Sequence, residues 1–270
     1  MTAFPRVQKI LPLLCAAVGM TGTAATFAQE PGDLSLVLLI GQSNMAGRGK
    51  IESTDTEPIP GAFKLDAEDR WVPALDPLHW DKPVAGVGPG REFARALLAA
   101  RPGSRIGLIP AAVGGTSLSQ WQPGGTMYNQ ALARLRTARK SGKLIAILWH
   151  QGESDADSAN LASSYAERWT ALMKKLREDA EAPDVPILVG ELGEYLYTRA
   201  NGQSPYARTV NEQIASLPSR LDRVAVISSR GLGHRGDQLH FDAASEREFG
   251  RRYAEAFLSL SPEWKSSGTP

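Results

Sequence analysis

Cysteine is almost absent from this chain of 270 residues, because Cys15 is the only one. A single cysteine cannot form a disulfide within the chain. It also lies in a segment that we expect to be removed, so the mature protein would have neither a cysteine nucleophile nor a thiolate ligand for zinc. Any chemistry must therefore use other side chains.

An excess of charge of either sign is also lacking. Lysine and arginine together number 30, and aspartate and glutamate together number 29. No block of like charges stands out, which argues against a basic nucleic-acid surface or an anionic membrane as a partner. We therefore expect neither nucleic acid nor, once the chain is processed, a membrane as its partner, and nothing in the sequence indicates an oligomeric state.

The chain also has little that could cross a membrane, since its longest apolar run lies near the amino terminus and is short. Arg6 and Lys9 precede this run, residues 10–20, and small residues then lead to Ala28. This order is typical of a secretory signal peptide, so we predict that residues 1–28 are removed.

Two other interpretations of this segment fit less well. A membrane anchor needs a longer apolar run than residues 10–20. A lipoprotein signal ending at Cys15 would place Leu14 where such signals usually carry a small residue. We therefore expect export to the periplasm or the extracellular space, with residues 29–270 forming a single domain that is large enough for one hydrophobic core.

The most informative stretch is an apolar run that ends in a polar turn. Residues 36–40 are five consecutive branched aliphatic residues, typical of a parallel strand buried on both faces. They run into Gly41-Gln42-Ser43-Asn44. Ligands of open α/β sheets bind beyond the carboxyl ends of the strands, so Ser43 is a candidate nucleophile. The alternative is a structural turn in which Ser43 has no chemical role.

Further apolar strands alternate with amphipathic helices along the chain. The other predicted strands are residues 105–110, 144–149, 186–190 and 224–227. The predicted helices are residues 89–100, 127–141, 160–180, 210–217 and 243–259. This alternation predicts an α/β fold with a mainly parallel sheet and helices on both faces.

One long stretch, residues 50–90, shows no helical or strand periodicity. It contains six prolines, Pro58, Pro60, Pro73, Pro77, Pro83 and Pro89. Long structured loops in compact domains are usually functional, so we interpret this one as a wall over the active site. The alternative is a surface excursion with a small apolar cluster of its own.

Polar residues at the strand ends and in one late loop contain every group that acyl transfer requires. Ser43 is the candidate nucleophile and His240 the candidate base. Asp237, three residues before His240, is the candidate that orients the base. The oxyanion donors would be the N–H groups of Ser43 and Gly115 and the side-chain amide of Gln151.

Other roles for these residues stay open at this point. His240 could be a packed, hydrogen-bonded histidine. Glu153 could replace Asp237 as the orienting acid, or it could brace its own loop and Arg48. For His150, a structural hydrogen bond is favoured over proton transfer.

No metal site is expected. His150 and Glu153 are three residues apart, but no thiol and no other histidine lies near them in the sequence. We expect His79, His234 and Asp242 to be surface or loop residues.

Four segments of the chain resemble the four conserved blocks of the SGNH hydrolases. They are residues 41–47 (GQSNMAG), 114–117 (GGTS), 149–155 (WHQGESD) and 237–241 (DQLHF). The combination is similar to the branch that contains sialate O-acetylesterases and acetylxylan esterases, carbohydrate esterase family 6. The resemblance extends from Leu34 to the last helix.

This resemblance implies a fold and a mechanism. The fold is a three-layer α/β/α sandwich with a five-stranded parallel sheet, of the flavodoxin-like type. The mechanism is Ser-His-Asp catalysis by Ser43, His240 and Asp237, without a metal or an organic cofactor. Gln151 stands where the wider superfamily usually has asparagine.

The resemblance also implies an activity, the removal of O-acetyl groups from carbohydrates such as acetylated xylan or sialic acid. Asn44, His150 and Glu153 would support the catalytic residues. Two alternatives are a general short-chain carboxylesterase and a catalytically inactive carbohydrate-binding protein on the same fold.

Overall fold

The computed structural model of the protein describes residue 1, residues 34–199 and residues 202–266. Apart from Met1, the expected signal peptide lies outside these residues. Among the helices of the described ranges, none has both the length and the apolar character that a membrane crossing requires.

The described residues form a seven-stranded sheet that is parallel except at one edge. The strands are β1 (Leu34–Gly41), β2 (Ala62–Leu65), β3 (Trp71–Pro73), β4 (Ile106–Pro110), β5 (Gly142–His150), β6 (Ile187–Gly190) and β7 (Val224–Ile227). Their order across the sheet is β3-β2-β4-β1-β5-β6-β7, and only the β2–β3 pair is antiparallel.

The expected α/β class is confirmed, but the expected number of five strands is too low. The five predicted strands form the parallel part of the sheet, and β2 extends it. The two additional strands lie inside residues 50–90, which we had interpreted as wholly irregular. They are only four and three residues long, and Pro73 is tolerated because β3 is an edge strand.

Helices cover both faces of the sheet. They are α1 (Ser43–Ala46), α2 (Pro89–Ala100), α3 (Thr126–Ala138), α4 (Ala159–Ser163), α5 (Tyr165–Asp179), α6 (Ala207–Ala215), α7 (Ala243–Leu260) and α8 (Glu263–Ser266). The helix predicted over residues 160–180 is divided into α4 and α5 at Ser164, whose backbone leaves the helical region. The other predicted helices differ from the structure only at their ends.

The central strand β1 contributes to two hydrophobic cores, as its unbroken apolar sequence predicted. Leu36 and Leu38 pack into the core beneath α3, α5 and α6. Val37 and Leu39 pack into the core beneath α2 and α7. Alternate side chains of a strand point to opposite faces, so one strand fixes both layers.

The topology brings the polar strand ends together. β1 lies between β4 and β5, and the three strands run parallel. The segments that follow these three strands therefore meet at one edge of the sheet. They begin at Gln42, Ala111 and Gln151. The strands that follow β1 in the chain lie on both sides of it, with β2, β3 and β4 on one side and β5, β6 and β7 on the other. This reversal of direction is the arrangement at which ligands of open α/β sheets bind.

Candidate active site

Ser43 is held at the end of β1 by a turn that only glycine permits. The backbone of Gly41 has φ +131°, and a Cβ atom there would overlap the carbonyl group of His150. Gln42 N–H donates to the same His150 carbonyl at 2.8 Å. Ser43 is the first residue of α1, so its own N–H is one of those that a helix leaves without an internal acceptor.

His240 and Asp237 lie against Ser43 in the order that a catalytic triad requires. The distance between His240 Nε2 and Ser43 Oγ is 3.1 Å. The distance between His240 Nδ1 and Asp237 Oδ2 is 2.7 Å. The alternative in which Glu153 orients His240 does not fit this geometry, because the carboxylate beside the imidazole is that of Asp237.

The Asp237 carboxylate is fixed by its own loop. Its Oδ1 accepts the backbone N–H of Leu239 at 3.0 Å and that of His240 at 2.8 Å. Partial burial on its own would raise the pKa of Asp237, but the hydrogen bonds from the His240 backbone and ring and from the Leu239 N–H outweigh it and lower the pKa to about 2. Asp237 is therefore an anion wherever His240 can act as a base.

Asn44 holds the peptide groups on both sides of His240. Its Nδ2 donates to the Leu239 carbonyl at 3.3 Å, and its Oδ1 accepts the Phe241 N–H at 3.2 Å. Glu153 orients this amide, since Glu153 Oε1 accepts from Asn44 Nδ2 at 2.6 Å. Glu153 thus braces the active-site loops through Asn44. The alternative in which it braces Arg48 as well does not fit, because Arg48 pairs with Asp81.

His150 occupies a structural position behind this group. Its Nε2 lies 3.0 Å from the carbonyl of Glu191, and its Nδ1 lies 3.6 Å from Glu153 Oε1. The ring is packed edge-on against Phe241 and Phe249. Burial lowers the pKa of His150, which favours the neutral ring, although the nearby Glu153 acts in the opposite direction. This placement agrees with the structural hydrogen bond that we favoured over proton transfer.

Asp81 fixes the segment that carries the second backbone donor of the site, the Gly115 N–H. Asp81 Oδ2 accepts the N–H of Gly114 at 2.8 Å and pairs with Arg48 Nη2 at 2.7 Å. The Arg48 and Asp81 side chains are only 3% and 2% exposed. The next residue, Gly115, has φ +81°, and its N–H has no hydrogen-bond acceptor within the described part of the chain. An oxyanion can therefore accept from it.

Gln151 does not lie where an oxyanion donor is needed. Its side chain is fully buried, and its Nε2 already donates to Gln42 Oε1 at 3.1 Å, Thr116 O at 3.2 Å and Asp155 Oδ2 at 2.7 Å. Its Oε1 accepts from the Tyr165 hydroxyl at 3.1 Å. The amide is fully occupied in holding the segments that follow β1 and β4, so we no longer place Gln151 among the donors.

These groups converge on a cleft of about 330 Å³. Its lining includes Ser43, His240 and Gly115, and Lys82 and Val84 from the loop between β3 and α2. A larger depression of about 960 Å³ lies at the amino ends of β1 and β5 and contains none of the predicted site residues. The smaller cleft is therefore the candidate site.

Sequence reasoning missed Asp81 and Lys82. Both lie in residues 50–90, which the long-loop argument placed over the site without singling out a side chain. His79 lies in this loop, as one of the two expected placements had it, and is only 3% exposed.

The remaining polar residues of the late loop have structural roles. His234 Nδ1 accepts the N–H groups of Gly236 and Gln238. Asp242 caps α7, accepting the Ser245 N–H at 2.8 Å. Within the described ranges, no three His, Cys, Asp or Glu side chains are grouped so that they could hold a metal ion.

Comparison with known proteins decides the family. The model of the family described as "Carbohydrate esterase, sialic acid-specific acetylesterase" matches residues 33–259. The chain belongs to this family. This carbohydrate esterase is 34% identical, over 244 residues, to a probable carbohydrate esterase from Arabidopsis thaliana, a match that covers 83% of this chain and 90% of the relative.

Solved structures show the same fold. A crystal structure of an Arabidopsis thaliana protein is 33% identical and superposes with a TM-score of 0.76, covering 85% of this carbohydrate esterase and 99% of the other chain. NanS superposes with a TM-score of 0.72 at 17% identity, covering 86% and 99%. A carbohydrate acetylesterase from Xanthomonas citri gives 0.62 at 18% identity, covering 86% and 57%.

Proposed function

We propose that this carbohydrate esterase is a serine esterase that removes O-acetyl groups from carbohydrates through an acetyl-enzyme. The observation that carries the proposal is the pair of contacts that joins Ser43 to His240 and His240 to Asp237, at 3.1 and 2.7 Å. A nucleophile, a base and an orienting acid in this order are the requirements of acyl transfer.

In the first half of the reaction, Ser43 Oγ attacks the acetyl carbonyl while His240 Nε2 takes its proton. The oxyanion accepts hydrogen bonds from the N–H groups of Ser43 and Gly115, neither of which has an acceptor among the residues that the structure describes. The tetrahedral intermediate collapses when His240 gives the proton to the departing sugar hydroxyl. Asp237 stabilises the imidazolium throughout.

In the second half, water hydrolyses the acetyl-enzyme. His240 takes a proton from the water as its oxygen attacks the acetyl carbon, and then returns a proton to Ser43 Oγ as acetate leaves. The same two N–H groups hold the second oxyanion. No step requires a metal or an organic cofactor.

The substrates we propose are acetylated xylan and sialic acid-type sugars. The family description names sialic acid. Apart from the Arg48–Asp81 pair, the cleft lining carries Lys82 and Arg199 as cations and Glu153 and Asp157 as carboxylates. These opposite charges admit either a neutral or an acidic sugar.

We also propose export to the periplasm or extracellular space after removal of residues 1–28. Amino-terminal sequencing of the secreted protein checks this proposal.

The proposal is tested by measuring the release of acetate from acetylated xylan and from O-acetylated sialic acid. The comparison is the cleavage of 4-nitrophenyl butyrate. We expect acetate from at least one glycan and little cleavage of the butyrate. Efficient cleavage of the butyrate without release of acetate from either glycan would favour a general carboxylesterase. Binding of a glycan by protein that turns over no acetyl ester would favour the inactive binding protein.

A further inference from the structure

The loop that closes one side of the cleft has a second, outward-facing side. On the inner side, Asp81 holds the Gly114 N–H, and Lys82 Nζ lies 3.7 Å from the point where a Cβ atom of Gly115 would stand. Trp80 immediately precedes these two residues. Because consecutive Cα atoms are about 3.8 Å apart, the Cα atom of Trp80 lies within about 8 Å of that of Lys82.

Trp80 differs from the other tryptophans of the protein. It is 45% exposed, whereas Trp121, Trp149, Trp169 and Trp264 are buried and Trp71 is half-buried. Val84, on the same loop, is 60% exposed. Single exposed hydrophobic residues are ordinary, but Trp80 is an exposed aromatic residue two positions from Lys82, which lines the cleft.

The Trp80 ring is held in place. The guanidinium carbon of Arg134 lies 4.6 Å from the ring centroid. Arg134 is itself fixed, since it donates to the carbonyls of Pro110 at 2.9 Å and Leu65 at 2.8 Å. A ring that is already ordered loses little conformational freedom when a ligand covers it.

A shallow depression lies beside the ring. Its volume is about 100 Å³, and Trp80, Gln130 and Arg134 contribute to its lining, together with residues 110–113. Gln130 is exposed, and its amide has no hydrogen-bond partner among the described residues, so it can bond to ligand hydroxyl groups. The depression thus combines an aromatic face with polar groups at its edge.

We propose that Trp80 and this depression bind a second sugar ring, next to the ring whose acetyl ester reaches Ser43. The C–H face of a pyranose packs against the exposed part of the Trp80 ring, which Arg134 leaves uncovered, and its hydroxyl groups meet Gln130. The substrate is then an O-acetylated oligosaccharide or polysaccharide, and an acetylated monosaccharide lacks the contacts of the second ring. This inference rests on the proposed function for the identity of the first sugar.

The subsite is tested by the kinetics of the Trp80→Ala variant, compared with the variants Trp80→Phe and Tyr206→Ala. The glycan probes are acetylated xylotetraose with acetylated xylose, and O-acetylated sialyllactose with O-acetylated sialic acid. We expect Trp80→Ala to lower the ratio of kcat/KM for the oligosaccharide to that for 4-nitrophenyl acetate on the order of tenfold, mainly through KM, as for the loss of an aromatic anchor. Trp80→Phe retains most of the ratio. Tyr206, also exposed but outside the depression, is the control.

A binding measurement keeps this test independent of turnover. Titration calorimetry of the Ser43→Ala protein with the same oligosaccharides is expected to show binding that Trp80→Ala weakens on the order of tenfold. Three results would overturn the subsite. They are equal affinity with and without Trp80, no binding of either oligosaccharide, and no preference for the oligosaccharides over the monosaccharides. Failure of the wild-type protein to cleave any acetyl ester would instead count against the proposed esterase.

Discussion

Asn44 is the residue that connects the nucleophile turn to the base. It follows Ser43 in the chain, yet its amide is bonded to the peptide groups before and after His240. Besides Asp237, the Asn44 side chain therefore sets the distance between Ser43 and His240, and Glu153 Oε1 holds Asn44 Nδ2 at 2.6 Å. Reaction rates depend steeply on such distances, because small displacements disturb the alignment of the reacting atoms.

Removal of the Glu153 carboxylate should slow the reaction without weakening substrate binding. We expect Glu153→Ala to lower kcat about tenfold or more with little change in KM, since Asn44 loses the shorter of its two acceptors and the His240 loop is held less firmly. Glu153→Gln keeps an acceptor oxygen and should recover most of the rate. Initial-rate kinetics with 4-nitrophenyl acetate are the measurement, and a rise in KM alone would contradict the positioning role.

The pKa of Asp237 predicts how acid affects this loop. Its folded pKa, about 2, is below the usual value of 3.8. The bonds to its carboxylate therefore stabilise the fold above the unfolded pKa, and this contribution is lost as the pH falls through about 2. We expect the difference in free energy of unfolding between wild type and Asp237→Asn to be constant above about pH 5 and to shrink in stronger acid. Denaturant titrations at several pH values measure it, and a constant difference down to about pH 2 would contradict the assignment.

Contacts that a strand end, a short spacing or a motif indicates could be predicted, and contacts between distant residues without such a signal could not. The Asp237–His240 spacing allowed one turn to bring the two side chains together, and the polar end of β1 indicated Ser43. The contact between Asp81 and Gly114 joins residues 33 positions apart, and nothing in the sequence around either residue indicates the other. The same holds for Gln151, whose motif suggested a donor but whose three acceptors are visible only in the fold.

At the scale of elements, the strands that are buried on both faces could be predicted from the sequence, and the half-exposed strands β2 and β3 could not. β1 and β5 are buried on both faces and show unbroken apolar runs. β2 and β3 are short, half-exposed and lie at an edge, so their sequences lack both the run and the alternation. The loop that contains them nevertheless brings Asp81 to the end of β4, where it holds the segment that supplies the Gly115 N–H.

Breaking this connection should affect both stability and turnover. Asp81→Asn leaves the charge of Arg48 buried and unpaired, which should cost about 3 kcal/mol of unfolding free energy. It should also lower kcat, because Gly114 and Gly115 are held less firmly. Urea denaturation and 4-nitrophenyl acetate kinetics measure the two effects.

A surface ion pair provides the matched control for that variant. Glu68 pairs with Arg70, and the two side chains are 64% and 68% exposed. Glu68→Gln should therefore change the unfolding free energy by less than about 1 kcal/mol. Equal effects of Asp81→Asn and Glu68→Gln would show that the Arg48–Asp81 pair does not hold the oxyanion segment.

At the scale of the whole molecule, one buried carboxyl group in the long loop makes the stability of the fold depend on pH. Asp76 is 5% exposed, and burial raises its pKa to about 8, although the nearby Arg91 acts in the opposite direction. Around it, Lys64 Nζ donates to the carbonyls of Leu75 and Pro77. The fold therefore binds a proton at Asp76 that the unfolded chain releases near pH 4.

This proton makes stability depend on pH in a defined direction. Because the folded pKa of Asp76 is above its unfolded value, the group favours the fold in acid, and this contribution decreases as the pH rises from about 4 to about 8. We expect Asp76→Asn to gain stability relative to wild type between about pH 5 and pH 9. Urea denaturation at both pH values checks this, and a difference that is independent of pH would contradict it.

The central claim is that Ser43 carries the acetyl group in a carbohydrate O-acetylesterase. Acetate release from acetylated xylan and O-acetylated sialic acid by wild type and by Ser43→Ala tests it most directly. We predict that wild type releases acetate from at least one glycan and that Ser43→Ala is slower by at least about a thousandfold. Release of acetate by Ser43→Ala at a rate close to that of wild type would contradict the claim.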